Sequence, residues 1–262
     1  MKKYSSELFG SIDEPENFVE LLELIGSTPT PDERLVMMWR GQADVRWSID
    51  SAAVRRLRLE GDKSVTENQL IQYEKRLLKR ATHKGFRDFN GINLSDFDLL
   101  ARLQRHGAAT RLVDATRNAL VALYFCCNDL PKTYGSLLGF HTDYLGGYES
   151  EPKEEPYDKV VSGLEKFEHP QTWEPPAITA RISAQRSQFL YSALSNSKIG
   201  TLRIDQNKNA LKAIALSPAM KRICLRRIME TFDIHLLSLF PDIDGFGRAN
   251  SPAVRQWDND RW

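Results

Sequence analysis

The spacing of apolar residues along the chain predicts several amphipathic helices and a few strands. Phe18, Leu21, Leu22 and Ile25 recur with helical spacing, which predicts a helix from Asp13, its cap, to Ile25. The same reasoning predicts helices over 66–80, from 95 to just before 107, over 118–128 and from 217, and strands over 35–39, 136–141, 181–191 and 199–205. Helices around a few non-consecutive strands predict an α+β fold, a small mixed sheet surrounded by helices.

The segment 143–177 interrupts this pattern with glutamates and prolines. Such a composition is typical of a solvated excursion, here with a short helix around 160–167, and not of a second domain. A chain of 262 residues is long for one domain and short for two. We therefore expect an N-terminal helix and linker over 1–34, one domain over 35–247 with an insertion at 143–177, and a tail over 248–262.

Composition excludes several classes of protein. The formal net charge of +1 gives no overall attraction to nucleic acid or lipid, so such binding must come from local patches. Three cysteines, of which Cys126 and Cys127 are adjacent, indicate a reducing compartment. The N-terminus lacks the apolar core of a signal peptide, and no apolar run reaches the roughly 18 residues of a membrane span. We expect a cytoplasmic protein with no membrane partner.

Catalytic and metal-binding signatures are mostly missing. The five histidines are scattered and there is no Cys-x-x-Cys pair, so no metal site is expected. Cys224 lies on the apolar face of a predicted helix, which favours a packing role.

The first segment of chemical interest is Trp39-Arg40-Gly41-Gln42, at the end of a predicted buried strand. An arginine offers a planar fork of donors suited to phosphate or ribose oxygens. Gly41 would let a ligand approach the backbone closely. The alternative is an arginine that pairs with a carboxylate at the strand end.

The second segment runs from His106 to Thr116, where polar residues alternate with small and apolar ones between two buried helices. His106 is a candidate base or donor near neutral pH. Asp114 and Thr116 are candidate site residues, or equally caps for the helix that begins near Asn118. The pattern leaves both roles open.

Together these segments resemble the FRG domain, named after its Phe-Arg-Gly segment. The resemblance rests on WRGQ, on HGAATRLVDAT followed by NALVALYF, and on two later segments at 181–189 and 239–245. It spans about residues 35–247, and Ala109 and Ala115 replace the proline and tryptophan that are usual in the second motif.

The FRG segment is in turn similar to the first-strand arginine of ADP-ribosyltransferases. The resemblance implies an ADP-ribosyltransferase-like fold and NAD as the substrate. It implies that NAD is bound by residues of both motifs, namely Arg40, Gly41, Gln42, Thr110, Arg111 and Thr116. The catalytic residues it implies are His106, Asp114 and Gln185; Gln185 or Gln188 stands where those enzymes have a glutamate.

The implied function is ADP-ribosyl transfer to a macromolecule by a regulated toxin of a toxin–antitoxin or anti-phage system, with an antitoxin protein as a partner. Two other functions fit the same residues: a nucleotide- or RNA-binding module without chemistry, and an NAD glycohydrolase. Basic residues cluster at 55–58 and 221–227. Such clusters are usually solvated helix faces, but if both flank the pocket they favour RNA as the acceptor.

Overall fold

A computed structural model describes residues 1–27, 37–61, 64–147, 154–176, 179–205 and 210–252. The helices are α1 (Phe18–Gly26), α2 (Ala52–Leu59), α3 (Glu67–His83), α4 (Asp96–Arg105), α5 (Ala119–Cys127), α6 (Tyr157–Ser162), α7 (Ala180–Ala184), α8 (Pro218–Phe232), α9 (Leu236–Leu239) and α10 (Ile243–Ala249). The strands are β1 (Lys2–Ser6), β2 (Gly10–Glu14), β3 (Met37–Gln42), β4 (Asp88–Phe89), β5 (Ile92–Asn93), β6 (Val113–Thr116), β7 (Gly135–His141), β8 (Gln171–Trp173), β9 (Ser187–Tyr191) and β10 (Leu211–Leu216).

The main sheet has eight strands in the order β1-β2-β10-β7-β3-β6-β9-β8, and β4 with β5 forms a separate hairpin. Its neighbouring strands are antiparallel except for β10 and β2, which run parallel. The sheet is mixed and surrounded by helices, so the predicted α+β class is confirmed.

Most helices form where the local signals predict them. Thr66 and Gln69 make the predicted capping box of α3, and Ser217 caps α8 ahead of Pro218. The almost wholly apolar α5 is buried, and it packs with Cys224 of α8 in one core cluster. The predicted packing role of Cys224 is therefore confirmed.

The first helix begins later than predicted. Asn17, not Asp13, caps α1, because its side chain accepts a hydrogen bond from the backbone nitrogen of Glu20. Asp13 instead lies in β2, which forms a hairpin with β1. Pairing with another strand overrides the local capping signal.

The segment 143–177 is not a solvated excursion over its described part. Tyr157, Val161, Leu164 and Trp173 are buried in the same cluster as Phe97 of α4. Trp173 is fully buried on β8, an edge strand of the sheet. Four apolar residues of this segment therefore belong to one core, although its glutamates and prolines suggest a solvated loop. Residues 148–153 and 177 of the segment lie outside the described ranges.

Two strand predictions need correction. The predicted strand 181–191 begins as helix α7 and becomes strand β9 only at Ser187. Residues 199–205 form a loop, although Ile199, Leu202 and Ile204 are buried as their alternation indicates. The predicted strand 136–141 is confirmed as β7; strand 35–39 is confirmed from Met37, its first two residues lying outside the described ranges.

No helix in the described ranges is long and apolar enough to cross a membrane.

Candidate functional site

A cavity lies where strands β3 and β6 separate. β3 pairs with β7 along its whole length, but with β6 only between Trp39 and Thr116. Beyond that pair the guanidinium of Arg40 reaches across, and its Nη1 donates to the backbone oxygen of Asp114 at 2.7 Å. The central sheet is thus bridged by a side chain at this point.

The cavity has a volume of about 870 Å³ and a strongly cationic lining. Its walls come from the ends of β3 and β6, from α5, from the end of α4 and from C-terminal helices. The arginines of the lining are Arg40, Arg46, Arg55, Arg58, Arg105, Arg181 and Arg248, and its carboxylates are Asp50, Asp114 and Asp129.

Arg40 is partly buried at the cavity edge, with its Nε inside the protein. Burial lowers the pKa of its guanidinium below the ordinary value; the charge of Asp114 acts in the opposite direction and that of Arg55 adds to the lowering. Among the described residues, the one hydrogen bond of this guanidinium goes to a neutral carbonyl oxygen. Arg40 forms no close ion pair with a carboxylate of the described residues, so the alternative of an ion pair at the strand end is wrong.

Asp114 presents a half-exposed carboxylate to the cavity. Its Oδ2 accepts a hydrogen bond from Gln104 Nε2 at 2.8 Å, and its Oδ1 lies 3.5 Å from Arg105 Nη2. Asn118 caps α5 through its own side chain, and Thr116 Oγ1 accepts from the backbone nitrogen of Asn118. The helix-capping alternative is therefore wrong for Asp114, while Thr116 does support the helix start.

Arg105 is a cavity residue that sequence reasoning missed. Its Nη1 donates to Gln185 Oε1 at 2.9 Å and its Nη2 to Ser187 Oγ at 2.7 Å. A signal for it existed: Phe97, Leu100 and Ala101 define the inward face of α4, and Gln104 and Arg105 occupy the next inward positions. Polar side chains that continue an apolar helical stripe indicate a buried polar site.

Four buried polar atoms on the cavity lining have no hydrogen-bond partner among the described residues: Arg40 Nε, Arg105 Nε, Asp114 Oδ1 and Arg181 Nε. Of these, Asp114 Oδ1 and Arg181 Nε lie in ion pairs, with Arg105 and Asp242. Buried polar atoms in proteins are nearly always paired, so such atoms need an explanation. The Nε donors of Arg40 and Arg105 would suit an anionic part of a ligand. The oxygen of Asp114 would suit a positively charged or hydroxylated part of the same ligand.

Gly41 lines the cavity, but the space of its missing side chain is filled by helix α5. A Cβ on Gly41 would lie 1.9 Å from the backbone oxygen of Ala122 and 2.5 Å from the backbone nitrogen of Cys126, both on α5. The missing side chain therefore allows β3 to pack against α5, and its Cβ direction is not available to a ligand.

Thr110 and Arg111 lie away from the cavity, contrary to their expected role in cofactor binding. Arg111 is buried in an ion-pair network, in which its Nε donates to Glu74, its Nη1 to Glu67 and its Nη2 to the Tyr157 hydroxyl. Burial alone would lower the pKa of Arg111, but the two carboxylates outweigh it and raise the pKa. Thr110 is also buried and donates to Gln104 Oε1, so it helps to orient the amide that holds Asp114.

Gln42, Thr116 and Gln185 line the cavity, but protein groups already occupy their polar atoms. Gln42 Nε2 donates to the backbone oxygen of Ser48 at 3.2 Å, and Thr116 Oγ1 donates to that of Gln185 at 2.8 Å. The Gln185 amide accepts from Arg105 and donates to the Leu239 carbonyl at 3.0 Å. Gln185, at the end of α7, thus links α4 to α9, and its amide has little capacity left for a ligand.

His106 is not among the residues that line the cavity. It is the exposed C-terminal cap of α4. The pKa of the nearby Asp242 carboxyl is lowered mainly by the hydrogen bond from Arg181, and His106 contributes to this lowering. Arg40 and Asp114, two of the residues implied to bind NAD or catalyse, line the cavity, whereas His106, a third, faces solvent beside it.

The two basic clusters have different surroundings. Arg55 and Arg58 of α2 line the cavity, as expected if the first cluster flanks the site. Lys221 of the second cluster is instead buried, and its Nζ donates to the backbone oxygens of Ala43, Asp129 and Leu130 at 2.8–3.0 Å. It holds together two chain segments of the cavity wall.

In the described part of the chain, no group of three or more His, Cys, Asp or Glu side chains is arranged to hold a metal ion.

Comparison with models of known families matches residues 36–134 to the FRG domain. No curated protein and no solved structure matches the chain. The matched span contains Arg40, Arg105 and Asp114, while the cavity residues Arg181, Gln185 and Phe240 follow it.

Proposed function

This chain carries an FRG domain at residues 36–134, and we propose that its cavity binds NAD and transfers the ADP-ribose part to a macromolecule. The observation that carries the proposal is that Arg40 Nε and Arg105 Nε, both buried and without a hydrogen-bond partner among the described residues, lie on one cationic cavity with the half-exposed carboxylate of Asp114. Its volume of about 870 Å³ lies within the range of roughly 300–1,000 Å³ that is usual for ligand sites.

The arginines suit the diphosphate of NAD. Arg40 and Arg105 make their hydrogen bonds to neutral carbonyl, amide and hydroxyl groups. Arg105 also lies 3.5 Å from Asp114, so the charge of Arg40 above all is available to an anion. Arg248 stacks over the ring of Phe240, 5.8 Å from its centre, on the same lining. Phe125 meets Phe240 edge to face and offers an apolar wall for a ring of the dinucleotide.

Asp114 is the candidate catalytic residue. In the transfer, the bond between ribose C1′ and the nicotinamide nitrogen breaks, and nicotinamide leaves as a neutral molecule with the electron pair. Positive charge develops on the ribose, and the Asp114 carboxylate would stabilise it. A nucleophile of the acceptor then bonds to C1′ and releases its proton to water. Gln104 holds the carboxylate in place through Oδ2.

Two substitutions test the proposal by calorimetric NAD binding and by release of labelled nicotinamide. Arg40→Lys should weaken NAD binding about 10- to 100-fold, because a lysine replaces the planar fork by a point charge and a charge-assisted hydrogen bond contributes about 1.5–3 kcal/mol. Asp114→Asn should keep binding within about threefold and lower turnover about 10²- to 10³-fold.

Matched controls lie away from the cavity. Arg226→Lys alters an exposed arginine that pairs with Glu230, and Asp158→Asn alters an exposed carboxylate that pairs with Lys75. Both should leave NAD binding and turnover unchanged. Equal turnover of Asp114→Asn and the parent protein would refute the catalytic role of Asp114.

The second candidate function is a nucleotide- or RNA-binding module without chemistry. It is favoured by Gln185, which stands where ADP-ribosyltransferases have a glutamate and whose amide is already bonded at both ends to protein groups. NAD binding without nicotinamide release, with RNA, DNA and protein acceptors offered, would support this function. Free ADP-ribose as the main product would instead identify a glycohydrolase. If the protein is a regulated toxin, expression of the parent protein should stop cell growth, and expression of Asp114→Asn should not.

A further inference from the structure

The loop of residues 43–50, here called the Trp47 loop, follows β3 and borders the cavity. It is fixed at both ends: the Val45 nitrogen donates to the Tyr134 oxygen at 2.8 Å, and the Ile49 nitrogen to the Ile199 oxygen at 2.7 Å. Both side chains are buried. Gly200 packs directly on the Ile49 backbone, where a Cβ would lie 2.5 Å from the Ile49 oxygen. The residues between these anchors are therefore held in one position.

Between the anchors, the loop presents an exposed tryptophan to the cavity. Trp47 is 46% exposed although it lies on the cavity wall. A large apolar ring that a well-anchored loop holds in water contributes little to folding, because it buries only part of its surface. An indole face of this kind is a stacking platform for a planar ring.

Arginines line the same cavity as this platform, namely Arg46, Arg55 and Arg58. Arg46 and Arg58 pair with Asp44 and Asp50, whereas Arg55 donates to the backbone oxygen of Asp50. These guanidinium groups can contact phosphates spaced along a strand, since each carries donors beyond those that its present partners use.

The platform adjoins the proposed reaction centre. Trp47 and Arg55 line one cavity with Arg40 and Asp114, and the guanidinium of Arg40 donates to the backbone oxygen of Asp114. A base stacked on Trp47 would thus belong to a strand that passes the Arg40 and Asp114 pair.

We infer that the Trp47 loop binds single-stranded nucleic acid, with a base on the Trp47 indole and phosphates on Arg46, Arg55 and Arg58, and that this strand is the ADP-ribose acceptor. The acceptor part rests on the proposed function, whereas the binding part does not. In the transfer, a nitrogen or oxygen nucleophile of the strand bonds to C1′ as nicotinamide leaves with the electron pair, and its proton passes to water. An exposed aromatic platform with cations favours a nucleic acid over an acidic protein segment, which has no bases to stack.

Binding is tested first without NAD, by fluorescence anisotropy of labelled 12-nucleotide RNA and DNA strands. Three phosphate contacts predict that the logarithm of the binding constant falls with the logarithm of salt concentration with a slope of about −2. Arg58→Gln should make this slope shallower by about 0.7. The fold should survive, because Asp50 keeps its hydrogen bonds from Ser48 and Thr201.

Trp47→Ala should weaken binding of the strand about tenfold, and Trp47→Phe should restore most of it. Phe86→Ala and Arg222→Gln are matched controls, since both residues are exposed and neither lines the cavity. They should bind as the parent protein does. Different affinities for the RNA and the DNA strand would identify which of the two is the acceptor.

The outcomes separate this inference from the proposed function. NAD binding without strand binding would overturn the inference and leave the proposed function standing. Strand binding that depends on Trp47, without NAD consumption, would support the binding part and refute the transferase. Transfer of labelled ADP-ribose to protein but not to either strand would overturn the nucleic acid acceptor.

Discussion

Replacing Gly41 by alanine tests whether this glycine serves packing or ligand access. The added Cβ would lie 1.9 Å from the Ala122 backbone oxygen, where a carbon and an oxygen in contact lie about 3.3 Å apart. β3 and α5 would have to separate by roughly 1.4 Å. The obstructing atoms are helix backbone, which cannot rotate away, so the cost should reach the upper end of overpacking, about 3 kcal/mol.

Thermal unfolding followed by circular dichroism measures this cost. At about 3 °C for each kcal/mol in a chain of this size, Gly41→Ala should lower Tm by about 9 °C. Gly247→Ala is the matched control: it lies in α10 with nothing within 4 Å of the added Cβ, so Tm should stay or rise slightly. A Gly41→Ala protein with unchanged Tm but weakened NAD binding would refute the packing argument and restore the role in ligand access.

Two further predictions concern buried charges. Arg111→Met removes the cation from the network around the fully buried Glu74 and should cost about 3–5 kcal/mol, hence about 9–15 °C in Tm. Arg226→Met at an exposed pair should change Tm by less than about 2 °C, and equal effects of the two substitutions would contradict the stabilising role of the network. Burial alone would raise the pKa of Asp50, but hydrogen bonds from Ser48, Thr201 and Arg58 hold it below the ordinary value. Asp50 therefore stabilises the fold at neutral pH, and this contribution is lost as pH falls below about 4 and through the folded pKa. Tm measured from pH 7 to pH 3 should fall less steeply for Asp50→Asn than for the parent protein, and parallel curves would contradict this.

The sequence alone determined where α3, α4, α5 and α8 lie, because the signals for these helices are local. The capping box of Thr66 and Gln69, the Ser217-Pro218 start and the apolar run of α5 each involve residues a few positions apart. It also identified Arg40 and Asp114, since polar residues beside buried elements stand out in a linear pattern.

Only the tertiary structure decided which polar residues belong to the cavity. Arg105 and Arg111 are equally plausible in the sequence, yet Arg111 meets Glu74, 37 residues away, and Arg105 meets Gln185, 80 residues away. The strands differ in the same way: residues 199–205 alternate like a strand but have no partner strand in the described sheet, whereas β10 pairs with β7. A helix forms its hydrogen bonds within itself. The other features depend on groups that are distant in sequence: this holds for a strand, for a buried charge and for a glycine packed under a helix. Only folding brings those groups together.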